Sequence, residues 1–380
     1  MINQGNISIH AQNIMPIIKR WLYSDKDIFI RELVSNGCDA ITKQKMLAPG
    51  DEAEYKVTVT VDEKAGEIRF SDNGIGMSAE EVEKYINQVA FSGAEEFLKN
   101  YEGDEKGGII GHFGLGFYSA FMVSDKVEIF TKSWKDEPAQ HWSCEGNPEF
   151  SMEEDKKHTD RGTDIVLHIA DDCKEFLEES RLSSLLTKYC RFLPISIAFG
   201  KKKEWKDGKQ VETDELNIIN DTNPLWTRTP SELTDEDYKK FYRDLYPMSD
   251  EPLFWIHLNV DYPFKLKGIL YFPKLKEQFG GIEGQIKLYS GQVFVADNIK
   301  EVIPEFLMLL KGVIDCPDLP LNVSRSFLQN DGYVKKLSAY ITRKVADKLT
   351  GLFNTEREKY EGYWEDIHPF VKYGCMRDNK

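Results

Sequence analysis

Three consecutive stretches between residues 126 and 170 alternate apolar and polar side chains, and they limit the fold more than any other feature of the chain. Their sequences are KVEIFTKSW, AQHWSCEG and GTDIVLHIA. Alternation with a period of two predicts strands that bury one face. We therefore expect consecutive antiparallel strands, with the buried face of the sheet covered by helices.

Helical patterns surround these strands. We predict helices at residues 12–23, 26–47, 78–90 and 174–193, and a short helix in FYSAFMV. Further strands are predicted in EYKVTVTVDE, GEIRFSD and ISIAFGKK. This order predicts an α+β fold in which a layer of helices packs on a largely antiparallel sheet.

The second half of the chain has its own pattern of helices and strands. Residues 200–222 are rich in charge and predict a short charged linker region, so we assign residues 1–214 to a first domain and residues 223–380 to a second, αβ domain. We predict a helix in TDEDYKKFYRDLY, strands in FWIHLNV, LKGILYFP, QIKLYSG and QVFVAD, and helices around residues 301–311 and 326–358.

Composition excludes several classes of protein. The chain has 64 acidic and 49 basic residues and a net charge of -15, which argues against counterion-driven binding to nucleic acid. The six cysteines are widely spaced without a C-x-x-C pair, and predict reduced thiols. The sequence also contains neither a signal-peptide pattern nor an apolar run of about 18 residues. We therefore expect a cytoplasmic protein that does not associate with membranes.

The segment IFIRELVSNGCDAITKQ, residues 28–44, carries polar side chains at helical spacing. Glu32, Asn36, Asp39 and Lys43 are separated by four, three and four residues, so they share one face of a helix. Such a stripe is either a solvated helix face or one wall of a binding site. The spacing alone leaves both interpretations open.

Two glycine-containing segments have compositions typical of ligand contacts. In FSDNGIGM, Gly74 and Gly76 allow a tight turn, and Asp72 offers an acceptor for an exocyclic amino group, although a plain D-N-G turn is the alternative. In KGGIIGHFGLGFYSAF, five glycines leave backbone N–H groups available to anionic oxygen. This second segment is neither a Walker loop nor a Rossmann turn, and a flexible loop without a ligand is its alternative.

The polar helix and the two glycine segments, in this order, resemble the nucleotide-binding motifs of the GHKL ATPases, a superfamily that includes gyrase and the histidine kinases. Over almost the whole chain, the sequence is similar to the ninety-kilodalton heat-shock chaperones, and to their bacterial type in particular. The resemblance is carried by WLYSDKDIFIRELVSNGCDA, SDNGIGMS, GIIGHFGLGFYSAFMV, LWTRTPSELTDEDYKKFY and DCPDLPLNVSRSFLQ. It implies a two-layer α/β sandwich of the GHKL (Bergerat) type, followed by the first part of a middle domain.

The resemblance also implies a function, an ATP-dependent chaperone that couples ATP hydrolysis to clamp closure on client proteins, with co-chaperones as further partners. Glu32 matches the family's general base, and Arg325 and Gln329 match the catalytic loop of the middle domain. Asn36 matches the residue that holds Mg²⁺. The nucleotide-binding positions that the family pattern implies are Asn36, Asp39, Lys43, Asp72, Gly76, Met77, Gly111, His112, Phe113, Gly114, Leu115, Gly116, Phe117 and Thr163.

Several positions depart from the family pattern. Phe91 and Ala94 stand where relatives commonly have a lysine and a threonine, and His112 stands where a glutamine is usual. Ser326 and Gln329 also fit an S-x-x-Q capping box, so Gln329 has a structural interpretation beside the catalytic one. Full-length members of the family are homodimers, and the resemblance implies that this chain lacks their C-terminal dimerisation domain.

Two other functions share the same motifs. A GHKL ATPase of DNA processing needs basic surface, which the acidic excess disfavours. A protein-binding module that senses nucleotide with little hydrolysis does not need a general base or a catalytic arginine, and the chain has candidates for both in Glu32 and Arg325.

Overall fold

The computed structural model of this protein describes residues 25–88, 91, 93, 96–97, 108–111, 114–147, 149–206, 209–275, 285–297, 302–319, 321 and 331–377. The chain divides into two compact units, Met1–Thr222 and Asn223–Lys380. The helix predicted at residues 12–23 lies outside the described residues. No helix in the described ranges is long and apolar enough to cross a membrane.

The first unit is built on an eight-stranded sheet with the order β5-β4-β3-β6-β2-β1-β7-β8. Its strands are β1 (Lys56–Asp62), β2 (Glu67–Asp72), β3 (Ser124–Lys132), β4 (Gln140–Cys144), β5 (Phe150–Glu154), β6 (Gly162–Ile169), β7 (Ser196–Lys206) and β8 (Lys209–Ile218). Strands β1 and β7 pair in parallel, and the other neighbours pair antiparallel. The prediction of a largely antiparallel sheet is therefore confirmed.

Helices cover one face of this sheet, as predicted. They are α1 (Ile28–Leu47), α2 (Ala79–Tyr85), α3 (Glu179–Cys190) and the 3₁₀ helices Gly116–Met122 and Asp171–Leu177. In α1 the fully buried Phe29 contacts Phe70 of β2 edge to face, with ring centroids 6.2 Å apart. The helix predicted at residues 174–193 is interrupted because Glu178 has an extended backbone, so α3 begins only at Glu179.

The segment 200–222, predicted to be a linker, instead contains the end of β7 and all of β8. Ion pairs join the two strands, with Lys202 Nζ 2.6 Å from the Glu215 carboxylate and Lys203 Nζ 3.9 Å from that of Glu212. The high charge density therefore belongs to an exposed hairpin at the edge of the sheet. Charged side chains on an edge strand also oppose unwanted strand pairing.

The second unit has a five-stranded sheet in the order β12-β11-β13-β10-β9. Its strands are β9 (Phe254–Val260), β10 (Leu266–Phe272), β11 (Gln285–Ser290), β12 (Val293–Asp297) and β13 (Lys311–Asp315). Its helices are α4 (Asp235–Leu245), α5 (Asp331–Thr355), α6 (Arg357–Gly362) and α7 (Trp364–Arg377). The helix predicted around residues 301–311 is wrong, since the described residues 302–310 contain only the 3₁₀ turn Glu305–Leu307 before β13. Its apolar spacing reflects burial of Val302, Ile303, Leu307 and Leu310 in the core.

Asp315 is a buried carboxylate at the end of β13, with 4% of its surface exposed. It accepts hydrogen bonds from Trp226 Nε1 at 3.1 Å and from the backbone N–H groups of Gly291 and Gln292 at 2.8 and 2.9 Å. Burial raises the pKa of Asp315, and these three donors lower it. The side chain therefore joins the β11–β12 turn to Trp226.

We expect Asp315→Ala to lower the free energy of unfolding of the second unit by about 3 kcal/mol, because buried donors without an acceptor cost about 1–3 kcal/mol each. Differential scanning calorimetry of the chain measures the effect. Asp261→Ala, at an exposed position in the same unit, is the control and should change little. Equal melting temperatures for the two variants would show that the three hydrogen bonds contribute no net stability.

Candidate functional site

The polar stripe of α1 is enclosed by the fold of the first unit. Asp39 is only 5% exposed and Arg31, beside Glu32, only 2%, while Glu32, Asn36 and Lys43 are partly exposed. A solvated helix face would leave its charged groups in water. The stripe therefore forms a wall against other parts of the unit.

Asp39 fixes the start of the glycine-rich segment. Its two carboxylate oxygens accept hydrogen bonds from the backbone N–H groups of Ile110 and Gly111, each at 2.7 Å. A Cβ placed on Gly111 would lie 3.0 Å from Asp39 Oδ2 and 4.0 Å from Asn36 Oδ1. Asn36 and Asp39 therefore face the same glycine, and a larger residue there would fill the space before them.

Glu32 faces a second glycine of this segment. A Cβ on Gly116 would lie only 2.6 Å from Glu32 Oε2. The other oxygen, Oε1, accepts hydrogen bonds from Arg31 Nε at 3.0 Å and from Arg31 Nη2 at 2.8 Å. Arg31 thus orients the carboxylate so that one oxygen is directed at the beginning of the 3₁₀ helix Gly116–Met122. Phe117, the next residue, is buried with its ring 5.8 Å from that of Trp142.

The turn after β2 is fastened on both sides. The N–H of Ile75 donates to the Ala40 carbonyl in α1 at 3.0 Å, and the N–H of Trp134 donates to the Ile75 carbonyl at 2.8 Å. Gly76 has a φ of 62°, and a Cβ there would lie 1.8 Å from the Lys132 carbonyl oxygen. Only glycine satisfies both conditions, so this turn needs the residue that the sequence provides.

Asp72 is the last residue of β2, and burial raises the pKa of its carboxyl to about 7. The negative charge of Asp164 acts in the same direction, whereas the Gly74 N–H, which donates to Oδ1 at 2.8 Å, opposes the shift. Thr163 on β6 is the direct cross-strand neighbour of Asp72. A carboxyl group with this pKa changes between its protonated and ionised forms near neutral pH, so its strength as a hydrogen-bond acceptor depends on pH there.

Thr131 was not among the residues predicted for the site. Its hydroxyl is 2.9 Å from that of Thr163 and accepts a hydrogen bond from the Met77 N–H at 2.9 Å. It therefore links two predicted residues. A polar residue at an inward-facing position of β3 is the sequence signal that could have identified it.

Lys43 lies at the far end of the stripe. Burial lowers the pKa of its ammonium, and the carboxylates of Asp39 and Glu81 raise it in part. The ring of Phe97 lies 5.8 Å from Lys43 Nζ. Lys43 is therefore the basic member of the α1 stripe, and its charged neighbours are Asp39 and Glu81.

The structure therefore brings most of the predicted residues together. Gly114 has a φ of 63°, and Leu115 directly precedes the 3₁₀ helix Gly116–Met122. His112, Phe113, Arg325 and Gln329 lie outside the described residues, so their predicted roles are untested. The roles predicted for the other residues also stay predictions.

The site offers few protein ligands for a divalent cation. Within the described ranges, no group of three or more His, Cys, Asp or Glu side chains could hold a metal ion. Asn36 Oδ1 lies on the side of Gly111 that a Cβ would occupy, 4.0 Å from that position. Mg²⁺ commonly takes one or two protein ligands and completes its shell with phosphate oxygens and water. The donor set thus fits a magnesium ion that arrives with a phosphate ligand.

Two protein-family models match the chain. Residues 24–173 match the family described as "Histidine kinase-, DNA gyrase B-, and HSP90-like ATPase". Residues 200–380 match the family described as "Hsp90 protein". The first match contains Glu32, Asp39 and Asp72, and the second begins within β7.

Full-length relatives support both matches. The chain is 61% identical to chaperone protein HtpG of Bacteroides fragilis over 379 residues, which cover 99% of this chain and 55% of the relative. It is 56% identical to chaperone protein HtpG of Porphyromonas gingivalis over 386 residues, 100% of this chain and 56% of the relative. The protein of the same name from Idiomarina loihiensis is 37% identical over 407 residues, 63% of its length. The chain thus spans a little over half the length of these relatives.

Proposed function

Because the chain belongs to the Hsp90 protein family, we propose that it is an ATP-dependent molecular chaperone. It binds ATP with Mg²⁺ in the first unit and hydrolyses it to ADP and phosphate. Hydrolysis is coupled to clamp closure on unfolded or partly folded client proteins. The relatives are chaperones by name, and no comparison favours an ATPase of DNA processing or a module that only senses nucleotide.

One arrangement carries the proposal, the contact of the α1 stripe with the glycine-rich segment. Asp39 holds the Ile110 and Gly111 amides, and the side chains of Asn36 and Glu32 face Gly111 and Gly116. Glycines at these points let the backbone approach polar side chains closely, since a Cβ on Gly111 or Gly116 would lie 3.0 Å from Asp39 Oδ2 or 2.6 Å from Glu32 Oε2. We infer that the glycine-rich segment receives the triphosphate of ATP, because backbone N–H groups in such segments bind anionic oxygen.

Glu32 is proposed as the general base. Its Oε2 accepts a proton from the water that attacks the γ-phosphate, while Arg31 keeps Oε1 occupied and the carboxylate in place. Hydrolysis of a phosphoryl group depends mainly on positioning and charge, so a fixed carboxylate beside the cradle is the main requirement. The proton returns to solvent when phosphate leaves.

The remaining residues are proposed to bind and orient the nucleotide. Asp72 accepts a hydrogen bond from the exocyclic amino group of adenine, and the Thr131–Thr163 hydroxyl pair holds β3 and β6 beside it. Lys43 supplies positive charge for the phosphates. Asn36 would hold Mg²⁺, which supplies charge neutralisation at the phosphate oxygens when bound.

The participation of the second unit stays a prediction from the sequence. Arg325 would stabilise charge on the γ-phosphate, with Gln329 beside it in the same loop. Client proteins, co-chaperones and a cytoplasmic location are part of the same proposal. A homodimer is the expected assembly of the full-length relatives.

Calorimetric titration with ATP and Mg²⁺, followed by a phosphate-release assay, tests the enzymatic part. We expect saturable binding and slow turnover. Light scattering from a thermally unfolding model enzyme tests the chaperone part, and we expect aggregation to be suppressed to different extents with and without ATP. Absence of binding would show that the nucleotide site is wrong, whereas hydrolysis without any effect on aggregation would contradict the chaperone role alone.

A further inference from the structure

A cluster of four side chains joins α2 to the segment that follows it. The rings of Tyr85 and Phe91 stack with centroids 6.0 Å apart and planes inclined by 21°. Lys84 Nζ lies 5.6 Å from the first centroid and 5.4 Å from the second. Glu96 accepts hydrogen bonds from Lys84 Nζ at 2.5 Å and from the Tyr85 hydroxyl at 3.3 Å. We call Lys84, Tyr85, Phe91 and Glu96 the aromatic clasp.

The aromatic clasp is attached to the candidate site at two points. The backbone of Phe91 lies against Gly114, since a Cβ on that glycine would be 2.3 Å from the Phe91 carbonyl oxygen. Phe97, which directly follows Glu96, places its ring 5.8 Å from Lys43 Nζ. The clasp therefore connects α2 both to the glycine-rich segment and to the cation at the end of the α1 stripe.

The contacts within the clasp are maintained at neutral pH. Burial, together with the nearby Glu96 carboxylate, raises the pKa of Tyr85 to about 12, so its hydroxyl remains a donor at neutral pH. A Cβ on Gly93 would lie 3.1 Å from Tyr85 Cδ1, which means that this glycine leaves the ring its space. Aromatic stacking and a cation over the rings add directional contacts to the ion pair.

Phe91 distinguishes this clasp from the arrangement that the family pattern predicts. It occupies the position where the resemblance leads us to expect a lysine. A lysine there would project a charge, whereas Phe91 anchors its own backbone by stacking on Tyr85. The cation of the cluster comes instead from Lys84, and Glu96 already engages it.

We propose that the aromatic clasp is a positioning device for the nucleotide, which fixes Gly114 and Lys43 where the phosphates of ATP meet them. This inference rests on the proposed ATP binding. None of the four clasp side chains needs to touch the ligand. Their contribution is to order the site before binding, so that less conformational entropy is lost when ATP arrives.

Charge reversal tests the clasp. We expect Lys84→Glu and Glu96→Lys each to weaken binding of a non-hydrolysable ATP analogue about tenfold, equivalent to about 1.4 kcal/mol. The double variant restores an opposite-charge pair but not the cation over the two rings, and should recover part of the affinity. In steady-state assays the singles should raise KM while kcat stays within about twofold, because Glu32 is unchanged. If the clasp had only a structural role, the single substitutions would lower the melting temperature without raising KM at nearly constant kcat.

Lys202→Glu is the matched control, since Lys202 forms a comparable ion pair with Glu215 on the β7–β8 hairpin. It should bind the analogue like the wild type. If Lys84→Glu also does so, or if the double variant binds no better than the singles, the clasp has no positioning role. If the wild type itself fails to bind, the proposed function is wrong and the clasp's role in nucleotide binding falls with it.

Discussion

Replacing Glu32 with alanine should reduce ATP hydrolysis by about 10²- to 10⁴-fold, the usual contribution of a general base, while nucleotide affinity changes little. The carboxylate oxygen Oε2 is directed at Gly116 and is the proposed proton acceptor. Asp72, Lys43 and Asn36, which are proposed to bind the nucleotide and its Mg²⁺, are unchanged by the substitution. Phosphate release under single-turnover conditions, combined with calorimetric titration, separates the two effects.

Glu32→Ala also removes one acceptor of the buried Arg31, so stability needs its own control. Glu32→Gln retains a side-chain oxygen for Arg31 but cannot take up a proton at neutral pH. It should therefore be as inactive as the alanine variant and melt closer to the wild type. Glu54→Ala, on the exposed surface, should be fully active. Hydrolysis by Glu32→Gln at the wild-type rate would exclude Glu32 as the base.

The sequence predicted those parts of the fold that depend on local pattern. The alternation in KVEIFTKSW and its two successors corresponds to β3, β4 and β6, and α1 begins within two residues of the expected position. The failures arose where burial and local pattern conflict. Residues 302–310 have helix-like apolar spacing, but they form a turn whose apolar side chains are buried in the core. Strand β5 is mostly exposed, so its sequence has little of the alternation that predicts a strand.

The residues of the candidate site also fall into those that local spacing predicts and those that it does not. Glu32, Asn36, Asp39 and Lys43 could be grouped from spacing within one helix. The contact of Asp39 with Ile110 and Gly111 spans 71 and 72 residues, and no local pattern encodes it. The sequence does not reveal Thr131 for the same reason, because its contacts with Met77 and Thr163 exist only after the strands have paired. Arg31 is the direct neighbour of Glu32, and the sequence does not show that its guanidinium is buried and holds one oxygen of that carboxylate.

As the pH is raised toward 7, the affinity of the wild type for ATP should increase about tenfold per pH unit, and above pH 7 it should stay constant. The reason is that Asp72 must be ionised to accept the adenine amino hydrogen strongly. Burial raises the pKa of this carboxyl to about 7. Near pH 6 most molecules would carry a protonated Asp72 before the ligand arrives. Titration calorimetry between pH 5.5 and 8.5, with the range chosen to span about 1.5 units on each side of this pKa, measures the effect.

Asp72→Asn should bind ATP about 10- to 100-fold more weakly at pH 8, since a charge-assisted hydrogen bond is replaced by a neutral one. It should also lose the pH dependence attributed to Asp72. The terminal phosphate of ATP titrates in the same range, and comparing the two proteins at each pH cancels that contribution. Stability provides a check without ligand. Because the folded-state pKa is raised, the wild type loses stability as pH rises from about 4 to about 7, and Asp72→Asn should not. Parallel affinity profiles for the two proteins would remove Asp72 from adenine recognition.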